Sequence, residues 1–206
     1  MLTLTSESTI EPVSIAEMRT FLRMESTDST AEDILIGAYI TVARQVAENI
    51  TKRSLVIANR SLIIDNFPNS TAVIELPRPP LSTISTNISI VYVKDTTAGD
   101  TTTVGSTLFT VDPDSEPGRV YPSYGNEWPD DSVREQRNAV RINYITGYTT
   151  TNPVPEIIKQ FIKIKVSGMY EYREPIISSI SMENIKRDYV DGLLDNYRVI
   201  TFYDTD

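Results

Sequence analysis

The 206-residue sequence has no cysteine and no histidine. Without cysteine there is no disulfide and no thiolate chemistry. Without histidine the usual general base, the commonest zinc ligand and the Ser–His–Asp route are gone. No G-x-G-x-x-G, P-loop or G-x-S-x-G occurs either. No apolar run approaches membrane-spanning length. The opening stretch, Met1 to Pro12, has neither a basic start nor a continuous apolar core, so it does not read as a signal peptide. Without such a signal, the sequons at Asn49, Asn59, Asn69 and Asn87 read as chance matches in a Thr/Ser/Asn-rich chain.

Positive charge is also scarce. Lys and Arg number 19 against 28 Asp and Glu, a net charge of −9. Such a surface repels phosphates and argues against sequence-specific DNA binding. It is compatible with an acidic wall beside DNA, because repulsion lets DNA slide without sticking. What is present is 40% hydrophobic residues, enough for a real core, in a length that suits one domain with room for an inserted subdomain.

The organising stretch is Val154 to Glu174, bracketed by Pro153, Pro155 and Pro175. Pro155 suits a first helical turn, where its missing N–H costs nothing. Ile157, Phe161, Ile164, Gly168 and Tyr172 fall on one helical stripe, and Ile158, Ile162, Val166 and Met169 widen it past half the circumference. A surface helix has a narrower apolar face, so this one should be covered on more than one side.

Upstream, Ser14 and Glu17 have capping-box spacing, with Val13 and Met18 placed for a hydrophobic staple. Ser29 and Glu32 repeat that spacing before a long helix running to about Lys52. On it Ile34, Leu35, Ala38, Val42 and Val46 form the apolar stripe, and Glu48, Lys52 and Arg53 should end it in water. Between Leu55 and Tyr148 the period becomes two. Strands are expected at Leu62–Asp65, Ala72–Leu76, Ile84–Val93, Leu108–Val111, Arg119–Tyr121 and Ala139–Ile145, with turns at Pro68-Asn69, Ala98-Gly99-Asp100 and Pro117-Gly118. A short helix is expected at Tyr189–Tyr197, with Leu193 and Leu194 as its buried face, followed by an apolar tail.

The expected class is therefore α+β: a bundle of three long or medium helices with an inserted antiparallel β-subdomain and a short C-terminal helix. Residues 12–53 and 153–197 would be the helical frame, 55–148 the β-rich insertion and 198–206 a docking tail.

Candidate chemistry is thin. Asp112-Pro-Asp114-Ser-Glu116-Pro-Gly118 suggests a calcium loop but fails the EF-hand spacing, since Pro117 stands where glycine is needed and Ser123 where the bidentate Glu belongs. Glu116, Glu127, Asp130 and Asp131 offer carboxylates for hydrolysis, with nothing to fix their separation. Lys159, Lys163 and Lys165 form a basic patch that reads as a solvated face or an ion-pair site. Tyr121, Tyr124 and Trp128 are residue types that dominate interface energies, although such rings can also pin a loop onto its own sheet. No catalytic, cofactor-binding or metal-ligating residue is assigned.

Several segments occur in a telling order. They are Leu76-Pro-Arg-Pro-Pro-Leu81, Glu116-Pro-Gly-Arg-Val-Tyr-Pro-Ser-Tyr-Gly-Asn-Glu-Trp-Pro129, Asn138-Ala-Val-Arg-Ile-Asn-Tyr-Ile-Thr-Gly-Tyr148, Val154-Pro-Glu-Ile-Ile-Lys-Gln160, Tyr170-Glu-Tyr-Arg-Glu174 and Leu193-Leu-Asp-Asn-Tyr-Arg198. Together they resemble the head–tail connector (head-completion adaptor) proteins of long-tailed bacteriophages and prophages, from about Pro12 to Tyr203. Where many relatives have a compact Gly-rich segment after the long helix, this chain has Ile176 to Asn184.

The resemblance implies a helical bundle with a β-rich insertion and a non-enzymatic protein of the virion. It implies a ring, usually twelve-fold, beneath the portal, which extends the channel for passing double-stranded DNA. The next completion or tail protein would dock on that ring. On this reading Arg198, Val199, Ile200, Phe202 and Tyr203 are expected to contact the portal, the alternative being a strand that closes the subunit's own sheet. Tyr121, Tyr124 and Trp128 would face a neighbouring subunit or the tail side. The other function classes are a monomeric carbohydrate- or protein-binding module using the β insertion and Trp128, and a carboxylate-dependent hydrolase.

Overall fold

The computed structural model describes residues 1–24, 31–82, 88–96, 100–129, 133–171, 190 and 192–199. The fold is α+β, with three α-helices and two antiparallel sheets among the described residues. The chain divides into a strand unit, Met1–Ser8 with Val56–Thr149, and a helical unit, Thr9–Leu55 with Thr150–Asp206.

In chain order the strands are β1 (Leu2–Glu7), β2 (Ala58–Ile64), β3 (Ile74–Leu76), β4 (Ser89–Val93), β5 (Thr101–Thr103), β6 (Phe109–Asp112), β7 (Gly118–Pro122) and β8 (Val140–Thr146). One sheet has the order β1-β2-β8-β4-β5 and the other β3-β7-β6. The two sheets share one core. Alternation on β8 buries Val140, Ile142, Tyr144 and Thr146, which lie beside Ile90 and Tyr92 of β4. From the second sheet come Ile74, Leu76, Phe109 and Val120.

The Tyr144 hydroxyl is paired, donating to the Pro77 carbonyl at 3.0 Å, and burial raises its pKa. The opposite face of the larger sheet carries a polar row. Thr3, Ser61, Asn143 and Ser89 stand in register across four strands, and the Ser61 hydroxyl donates to Asn143 Oδ1 at 2.6 Å. Gly147 ends β8 with φ +117, and a Cβ there would lie 2.1 Å from the Val56 carbonyl oxygen. Only glycine fits that position.

Two strands depart from expectation. β1 pairs with β2 from a segment with no assigned element, and β5 is a short run of three threonines. Gly118, expected in a turn, opens β7. The turn expected at 98–100 falls partly outside the described residues.

In the helical unit α1 (Ile15–Phe21) begins with the expected capping box. Ser14 Oγ accepts from the Glu17 amide at 3.1 Å, and Glu17 Oε2 accepts from the Ser14 amide at 2.9 Å. That amide bond first, then the Ser14 hydroxyl and Lys163, holds the Glu17 carboxyl below its ordinary value. Val13 and Met18 are both fully buried. Ser29, the expected cap of the second helix, lies outside the described residues.

The second helix, α2 (Ala31–Thr51), turns its other face inward. Ile36, Ile40, Ala43 and Ala47 are buried, whereas Ile34, Val42 and Val46 are 81%, 46% and 39% exposed. The expected apolar stripe is thus the outward one. The physical reason lies in the charges. Arg44 is buried and donates to Glu11 at 2.8 Å and Glu48 at 2.9 Å, while Glu48 Oε1 accepts the Leu55 amide at 2.7 Å. Glu48 and Arg53, expected in water, are buried.

The third helix, α3 (Glu156–Glu171), packs along α2. Ile158, Phe161, Ile162 and Val166 are its buried line, so the face is rotated from the stripe through Ile157 and Gly168, both exposed. The Pro155 carbonyl accepts the first amides, from Ile158 and Lys159. Tyr170 donates to Glu32 at 2.6 Å. The C-terminal helix expected at Tyr189–Tyr197 has helical residues at Val190 and Gly192 and ends in a 3-10 turn, Asp195–Tyr197, with Leu194 fully buried.

Candidate functional site

The aromatic segment after β6 is divided by the fold. Trp128 is only 4% exposed. Its indole N–H donates to the Ala72 carbonyl at 2.8 Å and its amide to the Ser70 carbonyl at 2.8 Å. Its ring stacks on Phe67 at 5.2 Å and 8°, and Phe67 meets Tyr92 edge-on at 5.9 Å. A buried Trp needs such a partner for its N–H, and it finds one within its own unit. Trp128 is therefore a packing residue of the strand unit rather than a ring offered to a partner or a sugar. Tyr121 is half-buried on β7, opposite Thr110. Tyr124 stands at the tip of the turn that follows, 106% exposed, next to Gly125 at φ +79.

The acidic run of the same unit is a turn. Asp112 Oδ1 accepts the Asp114 and Ser115 amides at 3.1 and 3.3 Å, and Oδ2 accepts the Ser115 hydroxyl. That hydroxyl first, then the amides, lowers the Asp112 pKa. Glu116 and Glu127 are both exposed, and Asp130 and Asp131 lie outside the described residues.

A cavity of about 430 Å³ is lined by Asn66, Phe67, Asp95, Pro129, Val133, Arg134 and Glu135. Neither Glu116 nor Glu127 enters it. A shallow hollow of about 410 Å³ lies where Asn59, Ser61, Arg141 and Asn143 meet. Among the described residues no group of three or more His, Cys, Asp or Glu is placed to hold a metal, and no helix is long and apolar enough to cross a membrane.

The lysines of α3 are each engaged. Lys159 pairs with Glu156 at 2.7 Å, Lys163 approaches Glu17 at 3.7 Å, and Lys165 lies 5.4 Å from the centre of the Phe161 ring. Two of the three lysines thus sit in ion pairs.

At the C-terminal end of the described chain, Arg53 Nε donates to the Tyr197 carbonyl at 2.7 Å, and the Val199 amide donates to the Thr51 carbonyl at 3.0 Å. Arg198 turns back to Asp195 at 3.1 Å. The root of the tail is thus fixed to the end of α2. Ile200, Phe202 and Tyr203 lie outside the described residues. The surface that sequence reasoning misses is the outward line of α2, because an apolar stripe reads as a core-facing one.

No family model and no curated protein matches the sequence. Solved structures do match in fold. A chain in the neck of an empty gene transfer agent (GTA) particle computed with C6 symmetry has a TM-score of 0.72 and 20% identity, covering 98% of this chain and 96% of that chain. A chain in the virion of a native GTA particle has a TM-score of 0.68 and 20% identity over 98% and 96%. A chain in the neck of a native GTA particle computed with C12 symmetry has a TM-score of 0.66 and 20% identity over 97% and 96%. Over nearly its whole length, the chain has the fold of a protein from the neck of these particles.

Proposed function

We propose that this chain is a structural neck protein of a phage-like particle: a head–tail connector that forms a ring beneath the portal. The observation that carries the reading is the fold match over 98% of this chain and 96% of its neighbour, a protein from a particle neck. A shared module of a few strands would not extend from end to end. The cyclic symmetry of the neighbouring necks, C6 and C12, supports a ring of this chain, with twelve copies as the proposed number.

In this reading residues 12–53 and 153–197 are the helical frame of a single connector domain, and 198–206 reach the portal. Tyr124 and Tyr121 face the neighbouring subunit or the next completion or tail protein. The chain works as a non-enzymatic virion component, made in the host cytoplasm. Its net charge of −9 suits a channel wall, because a conduit should not hold its DNA cargo.

Native mass spectrometry and negative-stain microscopy of the purified chain, alone and with portal-bearing heads, test this directly. The expected result is a closed ring around an open channel that binds heads and does not retain double-stranded DNA at physiological salt. A chain that stays monomeric with heads present, or grips DNA tightly, would overturn it.

A further inference from the structure

We propose that the outward line of α2 is the surface on which a second copy of this chain docks, an inference that rests on the ring reading above. The line runs through Ile34, Ala38, Val42, Gln45, Val46 and Asn49, all exposed. At about 100° per residue these fall within roughly one third of the helix circumference. The line carries no charged residue over about 25 Å of helix, in a chain that is 23% charged.

The charges of α2 are all directed elsewhere. Glu32 accepts from Tyr170, Asp33 pairs with Arg19 at 2.6 Å, and Arg44 and Glu48 pair with each other. An ordinary surface helix also turns apolar groups inward, as α2 does with Ile36, Ile40, Ala43 and Ala47, but carries its charges on the outward face. Here the charged groups find partners inside the unit, and the solvent-facing line is uncharged, four aliphatic residues with the amides Gln45 and Asn49.

The cyclic symmetry of the neighbouring necks makes a second copy the occupant, and electrostatics permits it. Each copy carries −9, so two copies repel across most of their surfaces. A line without carboxylates is a place where two such copies can meet without that repulsion. Ala38 at its centre and the short Val42 and Val46 let another backbone approach closely. In a closed cyclic ring the contact is heterologous, so the line on one copy meets a different patch on the next.

A photo-crosslinking amino acid, p-benzoylphenylalanine, replaces Val42 in the full chain. Light and ¹⁵N-labelled preparations are mixed while dilute, concentrated, irradiated and digested. Mixed light–heavy crosslinked peptides are the expected result. Crosslinks only within one isotope, which mean a segment of the same chain covers the line, or no crosslink at all, would overturn the proposal.

A second arm uses Ala38→Glu with Val42→Glu. Both positions are exposed, so the melting temperature should stay unchanged while the ring peak in native mass spectra disappears. A ring that survives both glutamates overturns the docking surface and leaves the ring standing. Mixed-isotope crosslinks from the Val42-substituted chain, with the wild-type chain stopping at dimers in native mass spectra, would keep the surface and sink the ring.

Discussion

The Glu48 carboxylate accepts from the Arg44 guanidinium at 2.9 Å, one turn further along α2, with the Arg44 side chain only 1% exposed. Its other oxygen takes the Leu55 amide, just beyond the end of the helix. One side chain thus neutralises a buried cation and satisfies a buried backbone donor. Removing Arg44 leaves two carboxylates, Glu48 and Glu11, without their shared cation. Arg44→Met should destabilise the chain by about 3–5 kcal/mol, read by urea unfolding. Adding Glu48→Gln removes the stranded charge but keeps the acceptor for Leu55, so the double variant should recover part of the loss. An Arg44→Met protein within 1 kcal/mol of wild type, on the scale of an exposed pair, would mean that the network is solvated after all.

The Ser14–Glu17 capping box predicts both a mutational and a pH effect. Ser14→Ala should destabilise by about 1 kcal/mol, as for other lost N-caps. Because the Glu17 carboxyl is held below its ordinary value near 4.5, its contribution is present above that value and lost as pH falls through the lower folded one. Thermal melts below pH 4.5 should therefore converge for wild type and Glu17→Gln, having differed at neutral pH. A gap that widens on acidification would contradict the sign.

Trp128 and Tyr124 make opposite predictions. Trp128→Ala removes a ring from the core of the strand unit and should cost about 3–5 kcal/mol by chemical denaturation followed by circular dichroism. Tyr124→Ala touches a fully exposed ring and should leave the melting temperature within error while weakening assembly, measured by light scattering. A Trp128→Ala chain with unchanged stability would return that ring to the surface, and Tyr124→Ala with unaltered assembly would remove it from the proposed contact.

What could be read in advance was local. The capping box at Ser14 and Glu17 involves residues three apart, and the alternation of Val140, Ile142 and Tyr144 needs only its own strand. What could not be read depended on distant partners. α2 carries two apolar lines, and the choice of inner face turns on Arg44 finding Glu11, 33 residues away in sequence. Trp128 is buried because Ala72, 56 residues earlier, accepts its N–H. β1 has the alternation Leu2-Thr3-Leu4-Thr5, but six residues without a visible pairing partner do not specify a strand, and β2 supplies the register.

The tail tests the connector reading most sharply, because its root is fixed and its tip is free to be assigned. The Val199 amide and the Tyr197 carbonyl are both bonded to residues at the end of α2. A chain ending at Val199 keeps those bonds and loses only 200–206. It should melt like wild type, form the same ring, and fail to attach to portal-bearing heads in a co-sedimentation assay. A chain ending at Tyr197 loses the Val199 hydrogen bond as well, so it should be less stable by about 1 kcal/mol. The competing reading places 200–206 as a strand within the subunit's own sheet. Removing a paired strand would lower stability in the first truncation already, by more than one hydrogen bond is worth. A chain ending at Val199 that is insoluble or markedly destabilised would therefore assign Ile200, Phe202 and Tyr203 to the subunit's own core. One that is stable yet still binds heads would move the portal contact to another surface.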